Sequence, residues 1–437
     1  MVFRFLRGVA RAERPAFALL QSVGVQVAVL FINLATGVIT ARLLGPDGRG
    51  VFSAVTTWPA LLATVATAGL TNAIVFNLRR PRQDRGAVVA ASFVMGFGFA
   101  TLAVGVGLAV LPRAMAHYSP GVLLMTQICL LATYANVAHL IYKQAFAGVG
   151  AYRAFNIAQI LPQLAYLIGL AGFALTGRLT ATTAVISLIG GGVLAIAAIT
   201  PGFLKVAAPA FRNVRAALAD LWSFTRRAAG ADVIGAVASY ADRLLLIPMI
   251  GPAELGLYVV AYSFSRTIMV VQPAVSSVIF SSMSHRTRDE IKVLHDHAFR
   301  YALYGLAGVI VALLLIDRAM LTLVYGPEFG RAVELFRILI LEAAVGCLCY
   351  ITSQLYLASD RPGYVSVVQM ICFGISVAGM LVLIPRLGAA GAAWALLLAG
   401  ASRLVLLFGG LFFYLRLPPT RLWPTFGDIA YLRDRLR

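Results

Sequence analysis

Lysine is almost missing from this chain. Lys143, Lys205 and Lys292 are the only ones among 437 residues, and none follows a glycine-rich loop. A phosphate loop for ATP requires that Gly-Lys-Ser/Thr pattern, so nucleotide hydrolysis by this chain is excluded. Carboxylates are scarce too: between Glu13 and Asp220 the only ones are Asp47 and Asp84. Cysteine is limited to Cys129, Cys347, Cys349 and Cys372, whose spacings fit neither a zinc site nor a disulfide framework. They read as small core residues. There is no acid pair, nucleophile elbow or other catalytic constellation, so no catalytic residue, metal or cofactor is expected, and the chain does not read as an enzyme. His295-Asp296-His297 is the one metal-like cluster, but Asp289, Glu290 and Lys292 stand beside it. It reads as a solvated cytoplasmic turn, and His139 as a bonded core histidine.

What the chain has in quantity is apolar sequence. Hydrophobic residues make up 60% and charged ones only 12%, with a mean hydropathy of +0.88. Apolar runs of roughly 20 residues recur along its length, and backbone groups in a bilayer must bond internally, so the runs predict membrane-spanning helices. We count twelve, near 17–41, 51–77, 87–111, 119–142, 154–176, 180–203, 228–250, 255–283, 300–324, 332–357, 363–385 and 389–415. The fold class is therefore an all-α polytopic membrane protein. The first run is too long for a cleaved leader. Net charge +19 would suggest nucleic acid in a soluble protein. Here most basic residues fall in the loops on the side of the N-terminus, which predicts that both termini are cytoplasmic and that nucleic acid is no partner.

Gly45-Pro46-Asp47-Gly48-Arg49-Gly50-Val51-Phe52 returns in skeleton as Gly251-Pro252-Ala253-Glu254-Leu255-Gly256-Leu257-Tyr258. Tyr118 and Pro120 reappear as Tyr325 and Pro327, and Arg178-Leu179 as Arg386-Leu387, all at an offset of 206 to 208 residues. One shared offset predicts duplication. Because it equals six helices, both halves enter the membrane in the same sense, giving two six-helix bundles related by a parallel pseudo-twofold repeat. The Gly-Pro element then reads as a turn between antiparallel helices, not a binding loop. The expected organisation is an interfacial amphipathic segment at 1–16, a first six-helix bundle at 17–204, an interfacial linker helix at 205–227, a second bundle at 228–416 and a basic cytoplasmic tail at 417–437. In the linker, Phe211, Val214, Leu218, Leu221 and Trp222 recur at helical spacing. Membrane lipids are the expected partners of both interfacial segments.

Four arginines lie inside predicted spans, where each costs about 2.5 to 3.5 kcal/mol on insertion scales. Counted along the helices, Arg266 and Arg403 fall near mid-depth and Arg243 somewhat outward. Arg337 is shallower, with Glu334 three residues before it as an expected helical partner. The embedded acids are Asp232, Asp242 and Glu342, candidates for ion coupling or for charge pairing with the arginines. Arg266, Arg403 and Arg243 together describe a site for an anion. Phosphate suits them, because guanidinium offers a planar fork of donors and keeps its charge when desolvated.

The stretch ARLLGPDGRGVFSAVTTWPALLATVATAGLTNAI, followed by ADRLLLIPMIGPAELGLYVVAYSFSRTIMVVQPAVSSVIF and LVYGPEFGRAVELFRILIL, resembles the polysaccharide flippases of the multidrug/oligosaccharidyl-lipid/polysaccharide exporter superfamily. Where relatives often end the eighth span with Pro, this chain has Ser281-Ser282. The resemblance implies two bundles forming a V that alternate between inward-open and outward-open states. It also implies a cationic central cavity, and translocation of a polyprenyl-pyrophosphate-linked glycan from the cytoplasmic to the periplasmic leaflet of a bacterial inner membrane. Arg266 and Arg403 are assigned to that cavity by depth and charge. Other polysaccharide assembly proteins, and a coupling proton or sodium ion, are the further partners implied. The rival expectation is a cation-coupled multidrug antiporter of the same superfamily, which commonly resembles a transporter with an acid inside its first bundle. This chain has none there.

Overall fold

A computed structural model describes residues 15–80, 84–271 and 288–418. The basic segment up to residue 14, Ser281-Ser282 and the tail from residue 419 lie outside the described residues. All regular structure in the described residues is helical, and eight of the helices are long and apolar enough to cross a membrane. The chain is an all-α, multi-pass membrane protein. By contacts it divides into two units, 1–256 and 257–437.

The first unit opens with α1, Pro15–Ala66, which bends at Gly45 (φ 64°, ψ −178°) directly before Pro46. Proline cannot continue the ladder, and glycine tolerates the left-handed φ. Arg49 donates from Nη1 to Thr40 Oγ1 at 2.9 Å across the bend and lies over the Phe52 ring at 5.4 Å. After α1 come α2 (Leu70–Leu78), α3 (Arg85–Ala114), α4 (Pro120–Cys129), α5 (Ala132–Gly148), α6 (Tyr152–Leu175), α7 (Ala181–Ala207) and α8 (Val214–Met249). Asp84 starts α3 by accepting from the Gly86 and Ala87 amides, and a Thr180/Thr183 capping box starts α7.

Two predicted spans of the first unit differ from uniform helices. The span expected at 51–77 is broken at residues 67–69, with Gly69 in the left-handed region at φ 72°. The span expected at 119–142 tightens at Leu130 and Leu131, between α4 and α5, where Thr133 N bonds Leu130 O in place of a regular helical partner. Residues 205–207 of the predicted linker end α7 and 208–213 are not helical, while from Val214 onward the linker, expected at 205–227, and the seventh span form one helix, α8. Its apolar stripe packs on protein: Ala217 and Leu221 are buried in the first unit's core, with Val214 and Leu218 against it, and Phe224 meets Phe76 at 4.9 Å between centroids. Phe211 and Trp222 remain exposed.

The repeated Gly-Pro element has a reciprocal geometry. A Cβ on Gly50 would lie 1.7 Å from the Pro252 carbonyl oxygen, and one on Gly256 would lie 2.0 Å from the Pro46 carbonyl oxygen. Each turn presents a glycine to the other's proline carbonyl, so backbones touch where side chains would stand. Helix association in lipid depends on such close packing, because lipid tails supply no hydrophobic drive between helices.

In the second unit, α9 (Pro252–Ser265, shared with the first unit across the boundary) passes into a 3₁₀ turn, Arg266–Val271. It continues with α10 (Arg288–Tyr325), a 3₁₀ turn at Pro327–Ala332, α11 (Val333–Ala358), α12 (Pro362–Leu387) and α13 (Ala389–Phe413). α13 packs along α11 and α12, around a core that includes Cys349, Leu355, Tyr356, Cys372, Leu407 and Leu411. All four cysteines are free and buried. Large apolar side chains such as Leu102, Ile168, Leu194, Leu315 and Val405 stand exposed, as lipid-facing positions do.

Candidate functional site

Three of the arginines that the sequence places in predicted spans have distinct surroundings. Arg266 stands at the residue where α9 changes to a 3₁₀ turn. Its Nη2 is 2.7 Å from Glu342 Oε2 of α11, with side-chain exposures of 24% and 12%. Its guanidinium covers the Tyr262 ring at 4.4 Å, and Nη1 reaches Met269 Sδ at 3.2 Å. The charge is thus matched by an acid. Of the two roles open to Glu342, its geometry is that of charge pairing.

Arg337 also has an acid, though not the expected one. Its Nε donates to Asp317 Oδ2 of α10 at 2.6 Å, so its partner comes from the preceding helix and not from Glu334. Asp317 itself is 3% exposed. Sequence reasoning missed it because it lies near a helix end in a Leu-Ile-Asp-Arg run that reads as an interface. The signal that could have found it is the need of Arg337 for a partner with a complementary depth.

Arg403 differs. It is the fifteenth residue of the 25 in α13, about 21 Å from one end and about 15 Å from the other at 1.5 Å per residue. It is half-buried, close enough to Cys349 of α11 and Cys372 of α12 for its charge to act on both. Among the described residues no acid pairs with it, and its buried Nε–H meets no acceptor. Within the second unit, Arg266 pairs with Glu342 and Arg337 with Asp317. For Arg403 no such acid is found among the described residues.

Arg243 and Asp242 are neighbours on α8, the first half-buried and the second 5% exposed, and both have interaction partners. Asp232, also on α8, has a different task. Its Oδ2 accepts the Gly69 amide at 2.9 Å and the Asn72 Nδ2 at 3.4 Å. It therefore caps the N-terminus of α2 at the helix break, where an amide would otherwise lack an acceptor. Gly69 is needed there twice over, since a Cβ would lie 2.7 Å from the Thr225 carbonyl oxygen.

Two sequence readings change. His295-Asp296-His297 is not a solvated turn: it lies in α10, where His295 is fully buried and Lys292 nearly so. A ladder of apolar residues at Ile291, Leu294 and Phe299 turns that face inward. His139 lines a first-unit cavity of about 250 Å³ with Thr56, Asn136, Pro162 and Gln163, and its Nδ1 has no hydrogen bond among the described residues.

A family model described as polysaccharide biosynthesis protein matches residues 39–334. No curated protein matches the chain in sequence. Among solved structures, the fold is similar to that of the lipid II flippase MurJ in an inward closed conformation, with a TM-score of 0.73, 13% identity, 90% of this chain covered and 87% of that one. It is similar to a multidrug resistance MATE family transporter of the MOP superfamily in an inward-facing conformation, with a TM-score of 0.69, 14% identity, and 89% and 97% covered. A further likeness, with a TM-score of 0.58, 14% identity, and 91% and 93% covered, is to a MOP superfamily transporter from Pyrococcus furiosus whose description reports reverse polarity of the binding pocket.

Proposed function

Given that the chain belongs to the polysaccharide biosynthesis protein family, we propose that it is a flippase for an anionic lipid-linked oligosaccharide. In this reading twelve helices form two six-helix bundles related by a parallel repeat, in a bacterial inner membrane with both termini cytoplasmic. The bundles alternate access between the leaflets and carry a polyprenyl-pyrophosphate glycan outward for cell-surface polysaccharide assembly. The prenyl tail stays in lipid, so the bilayer solvates it throughout.

The observation that carries the proposal is Arg403. A guanidinium at mid-depth costs about 2.5 to 3.5 kcal/mol, and Arg266 and Arg337 offset that cost with an acid in this state. Arg403 has no such acid among the described residues, and a pyrophosphate would supply the missing negative charge with two bidentate acceptors. Arg266 joins the headgroup by exchanging Glu342 for phosphate, which frees the Glu342 carboxylate to take up a proton or a sodium ion. Arg243 is the third basic group of the proposed site, with Asp242 beside it. Asp232 stays a helix cap.

Complementation tests this. In a strain deleted for the gene, Arg403→Ala is expected to abolish polymer export while the protein remains in the membrane. Unaltered export removes Arg403 from the site. The likeness to a multidrug transporter favours a second reading, cation-coupled drug antiport. It predicts drug resistance when the protein is expressed in a pump-deficient strain, whereas the flippase reading predicts none.

A further inference from the structure

The first-unit cavity has no part in the site built on Arg403. It holds about 250 Å³ and is walled mainly by α1, α5, α6 and α7, each in a stretch long and apolar enough to cross a membrane. Its chemistry divides into two sides. α1, α5 and α6 supply Thr56, Asn136, His139 and Gln163. Asn136 and His139 stand three residues apart, on one side of α5. α7 supplies Val185, Leu188, Ile189 and Ile196, an aliphatic stripe along one face of that helix.

The polar side has hydrogen-bonding capacity left over. Thr56 Oγ1 gives its proton to the Phe52 carbonyl at 2.8 Å, so what remains to it is acceptor capacity. The amides of Asn136 and Gln163 each carry two donors and an acceptor oxygen, and neither bonds to another described residue. His139 Nδ1 also lacks a partner among the described residues, and a neutral imidazole offers one donor and one acceptor. Polar groups kept from water cost free energy until they are bonded, and here four side chains with unspent capacity gather round one space.

The same lining decides what the space can take. No carboxylate, lysine or arginine contributes to it, so neither a cation nor an anion would find the counter-charge that burial demands. The one charged residue of α5, Lys143, stands over the Phe155 ring at 5.8 Å and is not part of the wall. Sites for drug-sized molecules run from about 300 to 1,000 Å³ and are rich in aromatic side chains. This cavity is smaller, and no Phe, Tyr or Trp lines it. Ordered water wants about two to four polar partners per molecule, and the α7 wall offers none. What matches both sides is a small neutral molecule with hydroxyls on one edge and C–H groups on a face, which is the build of a single sugar ring.

We propose that the first-unit cavity is a subsite for one neutral sugar ring. Asn136, His139 and Gln163 bond its hydroxyls, Thr56 accepts from one of them, and the α7 stripe covers a C–H face. On the flippase reading above, on which this step alone rests, the ring belongs to the transported glycan. Arg403 then reads the charge of the headgroup and the cavity reads the sugar. A site built to bond a hydroxyl strongly rejects an analogue that lacks it, so the glycan preference of the protein lies here.

The test uses the full-length protein in detergent, labelled with ¹³C and ¹⁵N in its five histidines, with His139→Gln to assign the signal. The probes are the methyl glycosides of glucose, galactose, N-acetylglucosamine and rhamnose, with tetraphenylphosphonium as a cation and inorganic pyrophosphate as an anion. At least one glycoside should shift the His139 resonance saturably, with a Kd on the order of 1 mM, and neither ion should. Asn136→Ala with Gln163→Ala removes two neutral partners and should weaken that glycoside about tenfold. Asn136→Leu with Gln163→Met, closer in shape and equally without amides, serves if the alanine pair fails to fold. No shift with any glycoside at about 100 mM, a hundred times that Kd, overturns the subsite and leaves water as its occupant. A saturable shift with either ion, or a glycoside affinity unmoved in both pairs of substitutions, overturns it as well. For the transport step, polymer export by the substituted protein is compared with wild type in the complemented deletion strain. Reduced export supports the glycan role. Weakened glycoside binding with unchanged export overturns that role and leaves the flippase reading standing. Export unaffected by Arg403→Ala strikes the flippase reading, while the glycoside titration still decides the cavity.

Discussion

Substituting alanine at the repeated Gly-Pro turns should disturb the protein in a way that reveals their reciprocity. An ordinary contact for a Cβ begins near 3.4 Å, yet at Gly50 the Pro252 carbonyl oxygen would stand at 1.7 Å and at Gly256 the Pro46 carbonyl oxygen would stand at 2.0 Å. Gly50→Ala therefore demands a separation of roughly 1.7 Å and Gly256→Ala of roughly 1.4 Å between the two turns, in a medium where helices hold together by fit. The obstacles are backbone atoms and cannot rotate aside. Overpacking of this kind costs about 1 to 3 kcal/mol, and these two belong at the upper end. One movement relieves both clashes, so the double variant should be little worse than Gly50→Ala alone, with a coupling of about 2 kcal/mol between the sites. Thermal unfolding of the purified protein in detergent, wild type against both singles and the double, measures this. Additive losses, or a Gly50→Ala protein as stable as wild type, would refute the reciprocal contact.

Other perturbations separate structural charges from functional ones. Glu342→Gln leaves Arg266 beside a neutral amide, and breaking a largely buried pair costs about 3 to 5 kcal/mol. The double change Arg266→Met with Glu342→Met should recover most of that stability, and a double as unstable as the single would count against the pairing. Asp232→Ala should lose about 0.5 to 2 kcal/mol through the missing cap, whereas Asp232→Asn keeps an oxygen acceptor for the Gly69 amide and should retain both stability and export. Loss of export in Asp232→Asn at normal stability would turn Asp232 back into an ion-coupling candidate. Arg403→Lys should export far less than wild type, because a point charge cannot reproduce the planar fork. Wild-type export by Arg403→Lys would reduce the role of Arg403 to charge alone.

Much of the fold was legible because a bilayer forces one answer on an apolar run. Long runs must be helices, and the turns between α6 and α7 and between α12 and α13 fall close to where Gly177 and Gly388 interrupt them. Less visible was anything decided by a partner distant in sequence. The break at Gly69 depends on Asp232, 163 residues away, and periodicity carries no trace of it. The pairing of Arg337 looked local because Glu334 stands at helical spacing, yet Asp317 on α10 approaches closer. Density of charge misled at His295, where three charged neighbours in the sequence, Asp289, Glu290 and Lys292, suggested water while the apolar positions at Ile291, Leu294 and Phe299 face the core. Counting residues could place Arg266 and Arg403 within predicted spans. Which one carried an acid was not readable, since that follows from how α9, α11 and α13 pack.

The proposed transport depends on recognition of a negatively charged headgroup by Arg403. Binding of polyprenyl pyrophosphate and of the corresponding neutral polyprenol to the purified protein, in wild type and in Arg403→Ala, tests it most directly. Wild type should prefer the pyrophosphate at least tenfold, about 1.4 kcal/mol, and Arg403→Ala should lose that preference while binding the alcohol as before. Equal affinity of the wild type for both lipids, or a preference that survives the substitution, would contradict it.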